Sequence, residues 1–176
     1  DFFVLAIPFG KYIDSDGAIR CCTSSWRRTD DTMIPPRVKL AGIYINSILA
    51  KSDAVLSGFD EAILMNEDGF VSEGSGQNIF IIKDGKLRTP GDQNILQGIT
   101  RTTVLEIATQ LGIPFTCENN LQPYDAYTAD EAFLCNTPSC ILPIVKIDNR
   151  ILGDGSPGPI TKQLMAACEE IVGLNF

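Results

Sequence analysis

Two stretches of the chain carry apolar residues at the spacing of an α-helix. The first begins near Gly42 and closes at Ser57-Gly58, and its apolar residues recur on one side: Ile45, Ile48, Leu49 and Leu56. The second is "GITRTTVLEIATQLGI", with Thr100 or a neighbour as its cap and Gly112 just past its end. Its apolar stripe follows the i, i+3, i+4, i+7 rule: Val104, Ile107, Ala108 and Leu111. A third helix is predicted over about residues 159–172, because a proline suits its first turn.

Short runs rich in Ile, Val and Phe predict β-strands around these helices. Residues 2–9 form the first run, and residues 131–136 hold a later one. Four further segments predict strands with turns: "YIDSDGAIRCCTSSWRR" with Asp16-Gly17, "EAILMNEDGFVSEG", "NIFIIKDGKLRTP" with Asp84-Gly85, and "SCILPIVKID" before Asp148-Asn149. The order is strands, helix, hairpins, helix, strands, helix, without strict βαβ alternation. This order favours an α+β fold, in which a mixed sheet is curled or closed into a pseudo-barrel with the helices outside it.

Length and charge narrow the possible functions. A chain of 176 residues is enough for one domain with a sizeable core. Its net charge of −8 would repel a phosphate backbone, so we expect no nucleic-acid partner. The sequence shows neither an apolar run near the roughly 20 residues of a membrane span nor a signal-peptide pattern. We therefore expect a cytoplasmic protein without a membrane partner.

The absence of histidine removes several kinds of catalytic site. Ser-His-Asp and Cys-His nucleophile systems are excluded, as are most histidine-based metal sites, and we predict no metal site. Acid–base chemistry must then use Lys, Asp, Glu, Tyr or a cofactor. The six cysteines are expected to be reduced and mostly buried. An alternative is a regulatory thiol pair of Cys135 and Cys140, which bracket a predicted turn.

Four short stretches hold residues that suit chemistry, although each also has an ordinary structural explanation. Lys39 stands between Val38 and Leu40, and such apolar neighbours predict a dry pocket in which an amine can become neutral. In "VSEGSGQNIF", Glu73 is followed by a glycine-rich loop that would let the backbone approach a ligand. In "LQGITR", a glycine directly before a helix predicts an anion site, to which Thr100 adds a hydroxyl. In "NTPS", Thr137 offers a hydroxyl in a turn.

In combination and in this order, these stretches resemble the class IV pyridoxal-phosphate aminotransferases, which have fold type IV, and most closely the branched-chain amino acid aminotransferases. The resemblance covers essentially the whole chain. It rests on "KLAGIYINSILAKSDA", "GFDEAILMNEDGFVSEGSGQNIFII", "LRTP", "ILQGITR" and "ADEAFLCNTPSCILPIVKIDNRILGDGSPGPIT". It implies the C-terminal domain of the fold shared with D-amino acid aminotransferase, and pyridoxal 5'-phosphate as the cofactor.

The resemblance also implies a role for each matching residue. Lys39 matches the catalytic lysine that holds the cofactor as a Schiff base and shuttles a proton. Glu73 matches the carboxylate that pairs with the pyridine nitrogen and so makes the ring an electron sink. The other matching residues are cofactor contacts: Tyr44 at the phenolate oxygen, Leu96 against the ring, Ile99 and Thr100 at the phosphate, and Thr137 as a further phosphate contact. Thr137 and Pro138 would receive the substrate carboxylate, and Asn78 has a supporting role.

The implied reaction is transamination between a branched-chain amino acid (Leu, Ile or Val) and 2-oxoglutarate, which gives a branched-chain 2-oxo acid and glutamate. Two positions depart from the family pattern. Ile43 stands where Asn is frequent, and Pro138 stands where Ala is common and removes a backbone N–H from the substrate turn. The alternatives are therefore a D-amino acid or (R)-amine transaminase, or 4-amino-4-deoxychorismate lyase, which keep the cofactor and change the substrate.

The resemblance also predicts how the chain is divided. Residues 1–30 would hold the first strands and the interdomain connection, with "SSWRR" at the family's linker, and residues 31–176 the large cofactor-binding domain. The smaller N-terminal domain of the family is expected to be absent, so an isolated binding domain that is inactive alone is the alternative of another class. A homo-oligomer, dimer or higher, is expected, because family members borrow from a neighbouring subunit at the substrate site.

Overall fold

The structure, a computed structural model, describes residues 2–8, 13 and 17–172. Within them the chain forms nine strands: β1 (Ile19–Arg27), β2 (Glu61–Met65), β3 (Val71–Gly74), β4 (Asn78–Lys83), β5 (Lys86–Pro90), β6 (Phe115–Glu118), β7 (Glu131–Asn136), β8 (Cys140–Ile147) and β9 (Arg150–Ile151). It also forms four α-helices: α1 (Tyr44–Leu56), α2 (Ile99–Gln110), α3 (Pro123–Tyr127) and α4 (Pro159–Val172). Two 3₁₀ turns, Pro36–Val38 and Ala41–Ile43, precede α1.

All nine strands belong to one mixed sheet. Their order is β3-β2-β1-β8-β7-β4-β5-β6, and β9 pairs with β8. The β1–β2, β1–β8 and β5–β6 pairs are parallel, whereas the remaining pairs are antiparallel. This arrangement confirms the predicted α+β fold with a mixed sheet.

The connection between β3 and β4 shows that the sheet curls. These two strands are five positions apart in the sheet, which corresponds to about 24 Å in a flat sheet. Gly74 ends β3 and Asn78 begins β4, so the chain between them can span at most about 14 Å. The sheet therefore bends back until β3 lies near β4, and the curl brings distant parts of the sequence to one place.

Apolar side chains fill two large clusters on the sheet. One contains residues of β1, β4, β7 and β8, such as Ile19, Ile79 and Leu134. The other joins β4, β7 and β8 to α2 and α4, and in it the rings of Phe80 and Phe133 stack across neighbouring strands with centroids 5.0 Å apart. Helices α2 and α4 thus cover one face of the sheet, as predicted.

Most of the predicted elements are confirmed. Both hairpins form at the predicted positions, and Asp84 and Gly85 take the positive φ angles of a tight two-residue turn. The second predicted helix buries three of its four stripe residues, and Gly112 follows it with φ of 70°. The last helix runs from Pro159 to Val172, as expected.

The predicted apolar face of α1 is wrong. Ile45, Ile48 and Leu56 are exposed, whereas the residues that α1 buries are Ser47, Ala50 and Ala54. The two alanines lie against Ala62 and Leu64 of β2, and their small size lets the helix approach the sheet closely. The helix therefore begins and ends where predicted but presents its large apolar residues to solvent.

Three further expectations need correction. Residues 2–8 lie in no strand and are exposed, because in the described chain no sheet edge pairs with them, while the predicted Asp16-Gly17 turn lies partly outside the described residues. Strand β6 and helix α3 were not predicted. Cys140 and Cys168 form a disulfide between β8 and α4, where the packing of the helix on the sheet brings their Cα atoms to 6.8 Å, so the expectation of six reduced cysteines is wrong. Cys135 is a buried free thiol and is not the partner of Cys140.

Hydropathy gives one more structural finding. None of the helices in the described part of the chain combines the length and the apolar character needed to cross a lipid bilayer.

Candidate active site

A cavity of about 720 Å³ lies where the curl of the sheet meets the start of α2 and the segment before α1. Every residue to which the resemblance gives a cofactor, substrate or supporting role lines it: Lys39, Tyr44, Glu73, Asn78, Leu96, Ile99, Thr100, Thr137 and Pro138. These residues come from parts of the chain up to about a hundred positions apart, and folding brings them to one place.

Glu73 lies at the buried end of this cavity. Its side chain on β3 is only 3 % exposed, and its Oε1 lies 2.6 Å from Nε of Arg28. Its Oε2 accepts hydrogen bonds from the backbone N–H of Leu96 at 3.0 Å and from Nδ2 of Asn78 at 3.2 Å. Burial raises the pKa of the Glu73 carboxyl to about 7, against the opposing effects of the Arg28 guanidinium and the Leu96 N–H. Near neutral pH this carboxyl can therefore hold or release a proton.

Arg28 is a site residue that the sequence analysis missed. It follows β1, is almost fully buried, and also donates to Oγ of Ser47 on α1 at 3.2 Å. Its contact with Glu73 spans 45 positions of the sequence, which local pattern does not reveal. The available signal was the basic pair Arg27-Arg28 directly after an apolar strand.

The N-terminus of α2 forms another wall. The cap residue is Gly98 and not Thr100, which lies within the first turn. A Cβ atom at residue 98 would collide with Oδ1 of Asn78, so only glycine permits this approach. Asn78 also donates from Nδ2 to the carbonyl of Leu96 at 2.8 Å, which holds the segment before the helix. The first N–H groups of a helix lack partners within it, so this wall favours an anion.

Lys39 and Tyr44 form the open side of the cavity. Nζ of Lys39 lies 3.2 Å from the hydroxyl of Tyr44. Lys39 has a φ angle of 54°, a left-handed conformation that is uncommon for a residue with a side chain and is often found at functional sites. Contrary to the predicted dry pocket, Lys39 is exposed, and Val38 and Leu40 are about half exposed, because nothing in the described chain covers this side.

The turn after β7 supplies the last of the predicted residues. Thr137 and Pro138 are exposed at the cavity, and Oδ1 of Asn136 accepts the N–H of Ser139 at 3.0 Å, which closes the turn. Arg37 and Gln77 also line the cavity and were not predicted. Arg37 pairs with Asp31, whose backbone N–H in turn donates to Asn94 at 2.8 Å.

These groups suit a ligand of a particular chemical kind. The buried carboxyl of Glu73 suits a basic ring nitrogen, the start of α2 suits a phosphate, and the amine of Lys39 can attach to an aldehyde. Pyridoxal phosphate carries all three groups, so the residues that are present fit this cofactor.

The family model of amino-transferase class IV matches residues 1–147 of the chain. A probable branched-chain-amino-acid aminotransferase of Aquifex aeolicus is 52% identical over 157 residues, which cover 89% of this chain and 50% of the relative. The chain thus spans about half the length of the relatives it matches.

Solved structures agree with this similarity. The branched-chain aminotransferase of Thermoproteus uzoniensis with norvaline has a TM-score of 0.90 and 46% identity, and the match covers 96% of this chain and 55% of that one. The PLP-form of the branched-chain amino acid aminotransferase of Thermobaculum terrenum has a TM-score of 0.85 and 42% identity, and the match covers 88% of this chain and 51% of that one.

Proposed function

Because the chain belongs to the class IV aminotransferase family, we propose that the protein is a pyridoxal-phosphate-dependent transaminase of branched-chain amino acids. It would transfer the amino group of Leu, Ile or Val to 2-oxoglutarate and release a branched-chain 2-oxo acid and glutamate. The observation that carries the proposal is the shared cavity, which is lined by the amine of Lys39, the buried carboxyl of Glu73 and the first turn of α2. The names of the relatives support the choice of substrate.

Seven residues of the chain would hold the cofactor. The amine of Lys39 would bind it covalently, and Tyr44 would donate to its phenolate oxygen. Glu73 would face the ring nitrogen, and Leu96 would pack against the ring. The N–H groups of Ile99 and Thr100 and the hydroxyl of Thr100 would bind the phosphate, with the hydroxyl of Thr137 as a further donor.

When bound, pyridoxal phosphate supplies an aldehyde for the substrate amine and a ring that withdraws negative charge from the substrate α-carbon. Nζ of Lys39 would then take the proton from that α-carbon and return it during the second half of the reaction. The hydroxyl of Tyr44, 3.2 Å from Nζ, would orient the amine. Glu73 would hold the proton of the ring nitrogen, which suits a carboxyl whose pKa is about 7.

The substrate carboxylate would bind at the turn of Thr137 and Pro138. Both residues are exposed at the cavity. The proline offers no backbone N–H, so the Thr137 hydroxyl and N–H would carry this contact.

We propose that a second, smaller domain covers the open side of the cavity and lies against Lys39. Residues 31–176 would form the large domain, and residues 1–30 would lead into it. The protein would work as a cytoplasmic homo-oligomer, dimer or higher. The exposure of Lys39, Val38 and Leu40 supports this proposal, because a catalytic amine benefits from exclusion of water. On this view the 176-residue chain alone would bind the cofactor with little turnover.

An amino-donor panel tests the proposed reaction. We expect 2-oxoglutarate-dependent transamination of L-valine, L-isoleucine and L-leucine, measured as glutamate formed, by a form of the protein that includes the proposed second domain. We expect Thr137→Ala to raise KM about tenfold, because it loses a hydrogen bond to a charged group, whereas Ser139→Ala should change it little. Turnover confined to D-amino acids or (R)-amines would contradict the proposal and favour the alternative transaminases.

A further inference from the structure

The turn Ser75–Gln77 connects β3 to β4 and forms part of the cavity wall. Glu73 lies two residues before Ser75, and Asn78 directly follows Gln77. The position of both side chains in the cavity therefore depends on how firmly this short turn is held.

The side chain of Gln77 closes the turn from within. Its Oε1 accepts the backbone N–H of Gly76 at 3.0 Å, while the backbone carbonyl oxygen of Gln77 accepts the N–H of Gly74 at 2.7 Å. A Cβ atom at residue 74 would lie 2.8 Å from Oε1 of Gln77, so a glycine is needed there for the amide to fit. The Gln77 side chain is buried, and its other end points away from the turn to a second buried group.

That second group is Glu61, the first residue of β2, which is fully buried. Its Oε2 accepts hydrogen bonds from Nε2 of Gln77 and from Nζ of Lys51, both at 3.0 Å. Its Oε1 accepts the N–H of Ala62 at 2.8 Å. A carboxylate only accepts hydrogen bonds, so it binds the NH₂ end of Gln77 and directs the oxygen end to Gly76.

Glu61 also connects two walls of the cavity. Lys51, its ion-pair partner, belongs to α1, which begins at the cavity residue Tyr44. Through Lys51 and Gln77, this one buried carboxylate joins α1 to the turn that follows Glu73 and β3. Glu61 itself does not line the cavity, so it would act on a ligand only through these neighbours.

We propose that Glu61 is a positioning residue of the cofactor site, a role that rests on the proposed function. By fixing the orientation of the Gln77 amide, it holds the Ser75–Gln77 turn and with it the carboxyl of Glu73 at the ring end of the cofactor. Its main effect is at the ring end, because the turn reaches α2, which forms the phosphate end, only through Asn78.

Amide hydrogen exchange tests whether Glu61 and Gln77 hold the Ser75–Gln77 turn, and the experiment needs no cofactor. We expect the Gly76 amide to exchange at least tenfold faster in Glu61→Gln and in Gln77→Leu than in the wild type, because either change frees the Gln77 oxygen from its fixed position. Glu131→Gln is the matched control. Glu131 is another buried carboxylate, and it accepts the N–H groups of Ile160 and Thr161 at 3.1 and 2.7 Å, far from the turn in sequence. It should lower stability without changing exchange at Gly76.

Cofactor binding locates the effect at the ring end. Glu61→Gln and Gln77→Leu should weaken pyridoxal phosphate and pyridoxal, which lacks the phosphate, by the same factor of about ten. Thr100→Ala, at the phosphate end, should weaken pyridoxal phosphate alone. Glu131→Gln should weaken neither ligand.

The outcomes separate this proposal from the proposed function. Suppose that the wild type binds both ligands and that Glu61→Gln and Gln77→Leu match it in amide exchange and in affinity. This result would overturn the positioning role but not the proposed function. Equal losses in Glu131→Gln overturn the positioning role as well, because they would show a general loss of stability. A wild-type protein that binds neither ligand overturns the proposed function, and the positioning role with it.

Discussion

Glu73 and Lys39 face the same cavity but differ in their exposure to solvent. Glu73 is buried beside Arg28, whereas Lys39 stands on the exposed side with a left-handed backbone. Burial raises the pKa of the Glu73 carboxyl to about 7. In the unfolded chain the same carboxyl titrates near 4.5, so the folded protein retains a proton that the unfolded chain has already released.

The stability of the protein should therefore depend on pH through Glu73. Between about pH 4.5 and 7 the folded state binds the extra proton, so the contribution of Glu73 to the free energy of unfolding should fall as pH rises, by about 3 kcal/mol. Above pH 7 this loss should be constant. Urea unfolding of the wild type and of Glu73→Gln from pH 4.5 to 8 measures it, since the variant lacks the titrating group.

Glu106→Gln, on the exposed face of α2, controls for the removal of a charge. The fall in stability between about pH 4.5 and 7 that is assigned to Glu73 should persist in this variant and be missing from Glu73→Gln. A difference between wild type and Glu73→Gln that does not change with pH would contradict the raised pKa of Glu73.

The sequence predicted individual site residues best where they belong to a recognisable motif. Lys39, Glu73 and Thr100 were marked by their neighbours and then assigned roles by resemblance, and all three line one cavity. Arg28 and Glu61 were not found, because each matters through a contact with a residue 16 or more positions away. The dry surroundings expected for Lys39 were wrong for a related reason: apolar neighbours in sequence do not bury a side chain unless another surface covers them.

Helices α1 and α2 show what periodicity can and cannot predict. Both have an apolar face, but α2 turns it to the sheet, whereas α1 turns it to solvent and buries serine and alanine instead. The periodic pattern indicates that a helix is amphipathic. It does not indicate which surface each face contacts, and the close approach of α1 to β2 favours the small side chains.

Two isoleucine-to-alanine variants test which faces of α1 and α2 are buried. Ile107→Ala in α2 should lower the free energy of unfolding by about 2–5 kcal/mol, because the side chain is fully buried. Ile48→Ala in α1 should change it by less than about 0.5 kcal/mol, because the side chain is exposed. Urea unfolding of the 176-residue chain, at a concentration where it is monomeric, measures both. Similar losses in the two variants would contradict the outward orientation of the α1 face.

Local hairpins were predicted more reliably than the sheet as a whole. The Asp84-Gly85 turn fixes its two strands because the signal lies within the turn itself. The parallel neighbours β1 and β8 are more than a hundred residues apart, and no local signal pairs them. Strand β6 was missed because it is a short, half-exposed strand at the end of the sheet.

The curl of the whole sheet creates the site. It brings the end of β3, the start of α2, the turn after β7 and the segment before α1 around one cavity. The order of the predicted elements favoured a curled or closed sheet, but the resemblance was needed to predict which residues would meet. Because these residues line one cavity, a cofactor with a ring nitrogen, an aldehyde and a phosphate is a suitable ligand.

Borohydride reduction followed by peptide mass spectrometry decides whether Lys39 carries that cofactor. After incubation with one equivalent of pyridoxal phosphate, we predict a pyridoxyl group on the peptide that contains Lys39. The label should be lost in Lys39→Ala and kept in Lys86→Ala, where an exposed lysine at the start of β5 is removed. A label on another lysine with Lys39 unmodified, or no label with the cofactor in excess, would contradict the proposed site.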